Sequence, residues 1–376
     1  MTESPPNTPP NSNSQHETIP TIPIEFVSEE EMALIEAAYA ATRSSLSSSI
    51  ELDIEDSDYL KNPQKRIRVA QPFLHRFRRK RALSVTDITA TEWCEKQMEF
   101  SLLFGKRKIS KAMKAGKARH VKLEEEVVKK VKVHIKSVED SWALKFINFI
   151  TCANQLLFEG ITRELPLVGF VEGIWLVGVI DELRMPENGS DRNPILVDTK
   201  TRVRDTLPAE PQSRNGRLQL MCYKYLWDTL AANSFPSGQF FDFFSLNRSY
   251  MLSKDIRERT ASSGFPAKTL DDVIQYYINT CSMLPTSHDR LLLRYELQKD
   301  QSVLGEDEFA YNPDWLKRQI QSNLEFWLGE REASYTPQEE RWKCRHCQFA
   351  SICSGNPFPN IPRGSSSSSD HSSSSS

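Results

Sequence analysis

"VGVIDEL" (Val177–Leu183) and "ILVDTKT" (Ile195–Thr201) are two apolar runs that each reach an acid. Their length and β-branched content predict strands. Lys200 follows Asp198 by two residues, and in a strand residues two apart face the same side. If the strand carrying Asp181 lies alongside, two carboxylates meet one ammonium. Two carboxylates that close cannot both stay ionised without a cation. Mg²⁺ suits the set, because it takes a few carboxylates plus waters and phosphate oxygens. The chemistry that uses such a set is phosphodiester hydrolysis, with metal-assisted attack by water. Lys200 would orient or deprotonate that water, or neutralise charge in the transition state. The bland alternative is a surface ion pair worth little.

Two features weigh against the bland alternative. The periodicity of "GKARHVKLEEEVVKKVKVHI" predicts a helix with His120, Glu124, Val127, Val128 and Val131 on one face. Two polar groups on a buried stripe need partners, such as a metal or Lys200. In "LQLMCYKY", Gln219 and Tyr223 are four apart and share a helix face. Gln219 is suited to hold a phosphate or a water, and Tyr223 to stack a base or bond phosphate. The alternative is an ordinary amphipathic helix with Tyr223 in the core.

Outward from this centre the chain reads as α-α-β-β-β-α. "LSVTDITATEWCEKQMEFSLL" predicts a helix capped by Asp87. "EDSWALKFINFITCANQLLF" predicts a more apolar helix, and "ITRELPLVGF" and "IWLVGVIDEL" predict a hairpin about the turn pair Glu172–Gly173. "MPENGSDRN" is a loop. "FFDFFSL" is a further strand candidate. A helix ("LDDVIQYYINTCSML"), two strands ("RLLLRYELQ", "SVLGEDEFAY") and a last helix ("PDWLKRQIQSNLEFWLGERE") follow. The expected class is α/β with a mixed sheet. Arg202, Arg204, Arg214 and Arg217 follow the second acidic strand and suggest a basic track for a phosphate backbone, with a solvated loop as the alternative.

The chain has 376 residues, 39% hydrophobic and 26% charged, with net charge −2. It is no polycation, so nucleic-acid affinity must come from local patches. The first fifty residues carry seven Glu and one basic residue, Arg43. That composition predicts disorder and makes a poor transit peptide. The expected organisation is a disordered region over 1–70, a folded domain over 71–358 and a Ser-rich disordered tail over 359–376. The run "HRFRRKR" (His75–Arg81) reads as a nuclear address or as a solvated edge. No apolar run reaches the roughly 18 residues that span a bilayer. An odd count of seven cysteines, without a secretory h-region, predicts a reducing compartment.

"WKCRHCQFASIC" holds Cys344, Cys347 and Cys353, spaced C-x2-C-x5-C. Zinc with His346 as fourth ligand is one reading. An iron–sulfur cluster with a distant fourth thiolate is the other. Cys152 and Cys222 sit in apolar helical runs and read as core. Cys281 and Cys94 are the remaining candidates, and Cys94 beside Trp93 echoes "WKC".

Taken together, Cys94, Gly116 with His120, Asp181, Asp198 with Lys200, Gln219 with Tyr223, and Cys344/Cys347/Cys353 resemble the iron–sulfur branch of the PD-(D/E)xK, RecB-like nucleases. The wording at "VTDITATEWCEKQ", "EDSWALKFINFI", "LVGVIDEL", "YKYLWD" and "WKCRHCQFASIC" is most similar to the exonuclease V family (the defects-in-morphology type), over about residues 72 to 355. The resemblance implies a restriction-endonuclease-like core closed by a [4Fe–4S] subdomain. It implies a Mg²⁺-dependent single-stranded DNA exonuclease that releases short oligonucleotides in DNA repair. His120, Asp181 and Asp198 become metal ligands, Lys200 the catalytic lysine, and Gln219 and Tyr223 members of the helical motif. Glu124 and Glu164 are further candidates. Cys94, Cys344, Cys347 and Cys353 become the cluster ligands. The expected partners are single-stranded DNA and a single-strand-binding protein, with no membrane and a monomeric chain. The expected compartment is the nucleus or cytoplasm, with an organelle as the alternative. The rival function is a non-catalytic nucleic-acid-binding module with structural zinc.

Overall fold

A computed structural model of the chain describes residues 22–26, 71–78, 82–105, 109–187 and 192–358; for 22–26 and 128–132 only the backbone is described. Residues Arg79, Lys80 and Arg81 of the basic run, and most of the "ENGSD" loop, lie outside the described residues.

The chain opens the folded part with α1 (Phe73–Phe77), β2 (Leu83–Ser84), α2 (Val85–Trp93), α3 (Glu95–Phe104) and α4 (Lys111–Glu125). A short strand, β1 (Ile22–Phe26), lies within the stretch expected to be unstructured and pairs in parallel with β3 (Val128–Lys132). Then come α5 (Val138–Glu159), the hairpin β4 (Ile161–Val171) and β5 (Ile174–Arg184), β6 (Ile195–Arg202) and α6 (Glu210–Ala231). The C-terminal half adds α7 (Ser237–Phe244), α8 (Lys254–Ser262), α9 (Leu270–Cys281), β7 (Arg290–Leu297), β8 (Val303–Ala310), α10 (Pro313–Leu328) and a 3-10 helix over Gln338–His346. The result is a mixed sheet in the order β2-β5-β6-β7-β8, with β4 on β5, flanked by helices.

Three local readings change. The helix through His120 ends at Glu125, and Val128–Lys132 is extended. Val128–Lys132 pairs along its whole length with β1, and that long-range pairing overrides the helical spacing of its valines. His120 therefore shares no helical stripe with Val127, Val128 and Val131. "FFDFFSL" is helical, because Phe240, Phe241 and Phe244 fall at i, i+1 and i+4 and are buried together. Asp87 is not the cap of α2. Ser84 is, and Asp87 closes the capping box from the third helical position.

The hairpin sets the geometry of everything central. Glu172 (φ 46°) and Gly173 (φ 83°) form a two-residue turn with both residues left-handed, which matches the twist of the flanking strands. It places Val171 opposite Ile174 and, further along, Arg163 opposite Glu182. On its other edge β5 pairs with β2 at Leu176 and Val177, and with β6 only from Glu182 to Arg184. Rungs between β5 and β6 stop at Glu182–Val197. The next positions in that register are Asp181 and Asp198. Both acids therefore stand at the mouth of a V where the strands part, while β6 continues in parallel along β7.

Helix α6 crosses the sheet closely because glycines leave room. A Cβ at Gly178 on β5 would collide with the Tyr223 ring and meet Val85 Cγ2 at 3.1 Å. Tyr223 is 4% exposed and has nowhere to retreat. Gly178→Ala should lower the urea unfolding midpoint, by about 1–3 kcal/mol of overpacking; an unchanged midpoint would contradict this packing.

Candidate metal centre and thiol cluster

Helix α4 brings His120 to the mouth of the V, and it is fastened on both sides. Arg119 forks onto the buried Glu296 of β7, with Nε 2.7 Å from Oε2 and Nη2 3.2 Å from Oε1. Arg163 donates to the Leu123 carbonyl and to Glu126, and its Nε donates to Glu182. Gly116 lets the helix approach β6, since a Cβ there would meet Thr201 Oγ1 at 3.1 Å. This explains the Gly116-x3-His120 spacing: the glycine brings the helix in, and one turn later the histidine reaches the acids. His120 Nδ1 lies 3.5 Å from Asp181 Oδ2.

Among the described residues, one group of three metal-type donors lies mutually within 4.8 Å: His120, Glu164 and Asp181. Glu164 continues the row of Asp181 and Asp198 onto β4. Its backbone is left-handed (φ 52°), and the rung that would pair it with Asp181 is missing. A non-glycine residue in that conformation costs of order 1–3 kcal/mol, a strain typical of functional sites. Glu124 and Asp198 are also buried, but neither is in the compact group, so of the expected ligands His120 and Asp181 fall in it and Asp198 stands beside it.

Asp198 is 1% exposed, and no N–H donor is aimed at either oxygen. Its one close cationic contact is Lys200, with Nζ 2.7 Å from Oδ2. Burial and the Asp198 charge hold the Asp181 carboxyl well above the usual carboxylate range. Burial would raise Asp198 too, but the Lys200 ammonium and a hydrogen bond from Asp181 bring it below the usual value. Burial works against the Lys200 ammonium, but the two aspartates outweigh it and raise its pKa. Burial lowers His120, leaving a neutral imidazole suited to ligation. Without a cation, then, the pair keeps a proton on Asp181. An oxygen-rich, partly deprotonated pocket with one imidazole fits Mg²⁺ or Mn²⁺.

Gln219 stands between Lys200 and Tyr223. Lys200 Nζ donates to Gln219 Oε1 at 2.8 Å, and Gln219 Nε2 donates to the Tyr223 hydroxyl at 3.2 Å. The pair holds the lysine. Tyr223 is buried and cannot stack a base, which corrects that expectation. The arginine track is also corrected in part. Arg214 forks onto Glu340 and bonds Glu92, and Arg217 pairs with Asp307 and Glu210. Arg204 is exposed.

Cys94 separates α2 from α3. It adopts extended backbone (φ −172°, ψ 110°), caps α3, and accepts from Gln97 N at 3.4 Å. The break turns the thiol toward the C-terminal segment. Cys94, Cys344, Cys347 and Cys353 line one pocket. Lys343 ties the halves together, donating to the Trp93 carbonyl and Glu340, and lying 4.0 Å over the Trp93 ring. Arg331 forks onto Glu95. Cys152, Cys222 and Cys281 are buried in the core, their thiols pushed up to about 12 by burial. His346 is exposed and does not line the pocket. No three of the thiols fall within 4.8 Å of one another among the described residues. Four Zn–S bonds of about 2.3 Å would bring sulfurs to about 3.8 Å. The open thiol set suits a larger inorganic core held by four thiolates.

The family model described as "Exonuclease V - a 5' deoxyribonuclease" matches residues 72–194, 186–269 and 266–355. Exonuclease V of Danio rerio is 29% identical over 286 residues, covering 74% of this chain and 71% of that protein. Exonuclease V, mitochondrial, of Candida dubliniensis is 34% identical over 61 residues, covering 16% of this chain and 10% of that one. The solved structure of SSO0001 is 12% identical with a TM-score of 0.34, covering 85% of this chain and 95% of that chain, too distant to carry an argument.

If Glu164 is strained into place for a cation, Glu164→Gln should weaken Mn²⁺ binding by about 10-fold or more, measured by equilibrium dialysis. Unchanged affinity would remove Glu164 from the site.

Proposed function

The chain belongs to the exonuclease V family, and we propose that it is a Mg²⁺-dependent deoxyribonuclease that degrades single-stranded DNA from its 5′ end. The observation that carries the reading is the row of Glu164, Asp181 and Asp198 at the mouth of the V, with His120 above it and Lys200 2.7 Å from Asp198. We read the surrounding sheet and helices as a PD-(D/E)xK core.

His120, Glu164, Asp181 and Asp198 would hold the cation. When bound, it polarises the scissile phosphate and acidifies a bound water. The protein's own part is charge and position. Lys200 is held protonated between Asp198 and Gln219, so it acts as a fixed cation rather than a base. An ammonium fixed there neutralises charge that develops on the phosphoryl oxygens and needs no reorganisation to do so. Gln219 anchors it, and Tyr223 anchors Gln219.

Cys94, Cys344, Cys347 and Cys353 would hold a [4Fe–4S] cluster that closes the domain. The exposed His346 and the spread of the thiols speak against the structural-zinc module. For the DNA backbone, exposed lysines join the exposed Arg204 in place of the paired Arg214 and Arg217. Lys111 and Lys114 stand three residues apart on α4, in the helix that carries His120. A strip of that kind suits the phosphates of a single strand. Release of short oligonucleotides, a role in DNA repair alongside a single-strand-binding protein, and a monomeric state complete the reading. Among the described residues no helix is long and apolar enough to cross a membrane. The compartment in this reading is the nucleus or cytoplasm, with an organelle as the alternative, and one relative is named mitochondrial.

The test is digestion of single strands labelled at either end, with one end blocked, in Mg²⁺. A blocked 5′ end should prevent degradation; degradation only from the 3′ end would overturn the polarity. Lys200→Ala should cut kcat by about 10²- to 10⁴-fold. Gln219→Leu should cost about 100-fold through misplacement of the lysine. Tyr223→Phe should stay within about 5-fold, since only one hydrogen bond is lost. A Tyr223→Phe or Tyr223→Leu effect confined to KM would instead mean that the ring touches DNA.

A further inference from the structure

Gln97 bonds two of the four clustered thiols, one from each end of the folded chain. Its backbone N–H donates to Cys94 Sγ at 3.4 Å, and its side-chain amide Nε2 donates to Cys347 Sγ at 3.3 Å across 250 residues. Both contacts are possible because α3 begins at Cys94 and places residue 97 one turn on, over the pocket. The charged groups at the rim are already spent. Lys96 pairs with Glu99 at 2.8 Å, and Lys343 pairs with Glu340 at 2.6 Å. Beside these paired cations, the Gln97 side-chain amide joins a backbone N–H of Phe349 as a donor to Cys347.

We propose that Gln97 is a positioning residue that tunes an iron–sulfur centre at Cys94, Cys344, Cys347 and Cys353, raising its reduction potential and slowing loss of iron. The proposal rests on the cluster reading above. An N–H···S bond draws electron density from a thiolate and favours the form of the cluster carrying the extra electron. The couple is a one-electron change of the cluster, with the electron supplied by an electrode. The same bond makes the thiolate a poorer base, so it is protonated and released from iron less readily.

The experiment uses the full chain, purified without oxygen, as wild type, Gln97→Leu and Gln97→Glu. Film voltammetry gives the potential, and transfer of iron to a chelator gives the release rate. Gln97→Leu, which loses the side-chain donor, should lower the potential. Gln97→Glu keeps the shape but adds negative charge, and should lower it further. Both should release iron several-fold faster. If Gln97→Leu arrives without iron, Gln97→Glu decides. Iron-loaded variants that match wild type in both readouts overturn the proposal alone. Wild-type protein without iron and sulfide overturns the cluster reading and this proposal with it.

Discussion

Asp181, half-buried, and Asp198, buried, stand at consecutive positions of one register where β5 and β6 part. Two carboxylates in such a place cannot both be charged unless something positive lies between or beside them. Lys200 supplies one positive charge, and burial with the Asp198 charge pushes the Asp181 carboxyl well above the usual carboxylate range. The neighbouring structure serves to keep that arrangement in place. Gln219 holds the lysine from behind, Tyr223 holds Gln219, and the missing side chain at Gly178 makes room for Tyr223. On the opposite approach, the Arg119–Glu296 fork seats α4 so that His120 reaches the acids. Breaking a buried pair of that kind typically costs about 3–5 kcal/mol, since it leaves a charge without its partner.

Helix α6 joins this centre to the thiol pocket. Arg214 stands on it five residues before Gln219, about 7.5 Å of helical rise. Its guanidinium bonds Glu92, two residues ahead of Cys94, and Glu340, four residues ahead of Cys344. Asn215 adds bonds to Thr89 O and Glu92. One helix therefore touches both the lysine of the candidate active site and the two chain segments that bring the thiols together. Those segments are about 250 residues apart, and a closure of that length suppresses much of the freedom of the unfolded chain. A centre at the four thiols would act on the acids through α6, without touching substrate.

Much of this was legible in the sequence, and what was not has identifiable causes. The hairpin could be read from its turn pair, and Asp198 with Lys200 from the two-residue period of a strand. Glu164 was within reach: a two-residue turn at Glu172–Gly173 fixes the register, and that register sets 164 opposite 181. The spacing of Gln219 and Tyr223 puts them on one face, but only the packing shows that the Tyr223 ring is buried and bonded to Gln219. Which side of α6 turns inward depends on a glycine in β5, a fact of packing with no local signal. The arginines after β6 looked free for the same reason. The partners Glu92, Glu340 and Asp307 lie about 90–126 residues away and enter only through the fold. The end of α4 has little local signal, because Val127, Val128 and Val131 recur at helical spacing while the partner strand Ile22–Phe26 lies far upstream in the chain.

The central claim is that the row of acids exists to hold a divalent cation beside Lys200. Anomalous diffraction from crystals soaked in Mn²⁺ tests it most directly. The account predicts a peak among His120, Glu164, Asp181 and Asp198, on the side of Asp198 facing Asp181. A well-occupied peak elsewhere, with no density at this site and the Asp198–Lys200 contact unchanged, would contradict it.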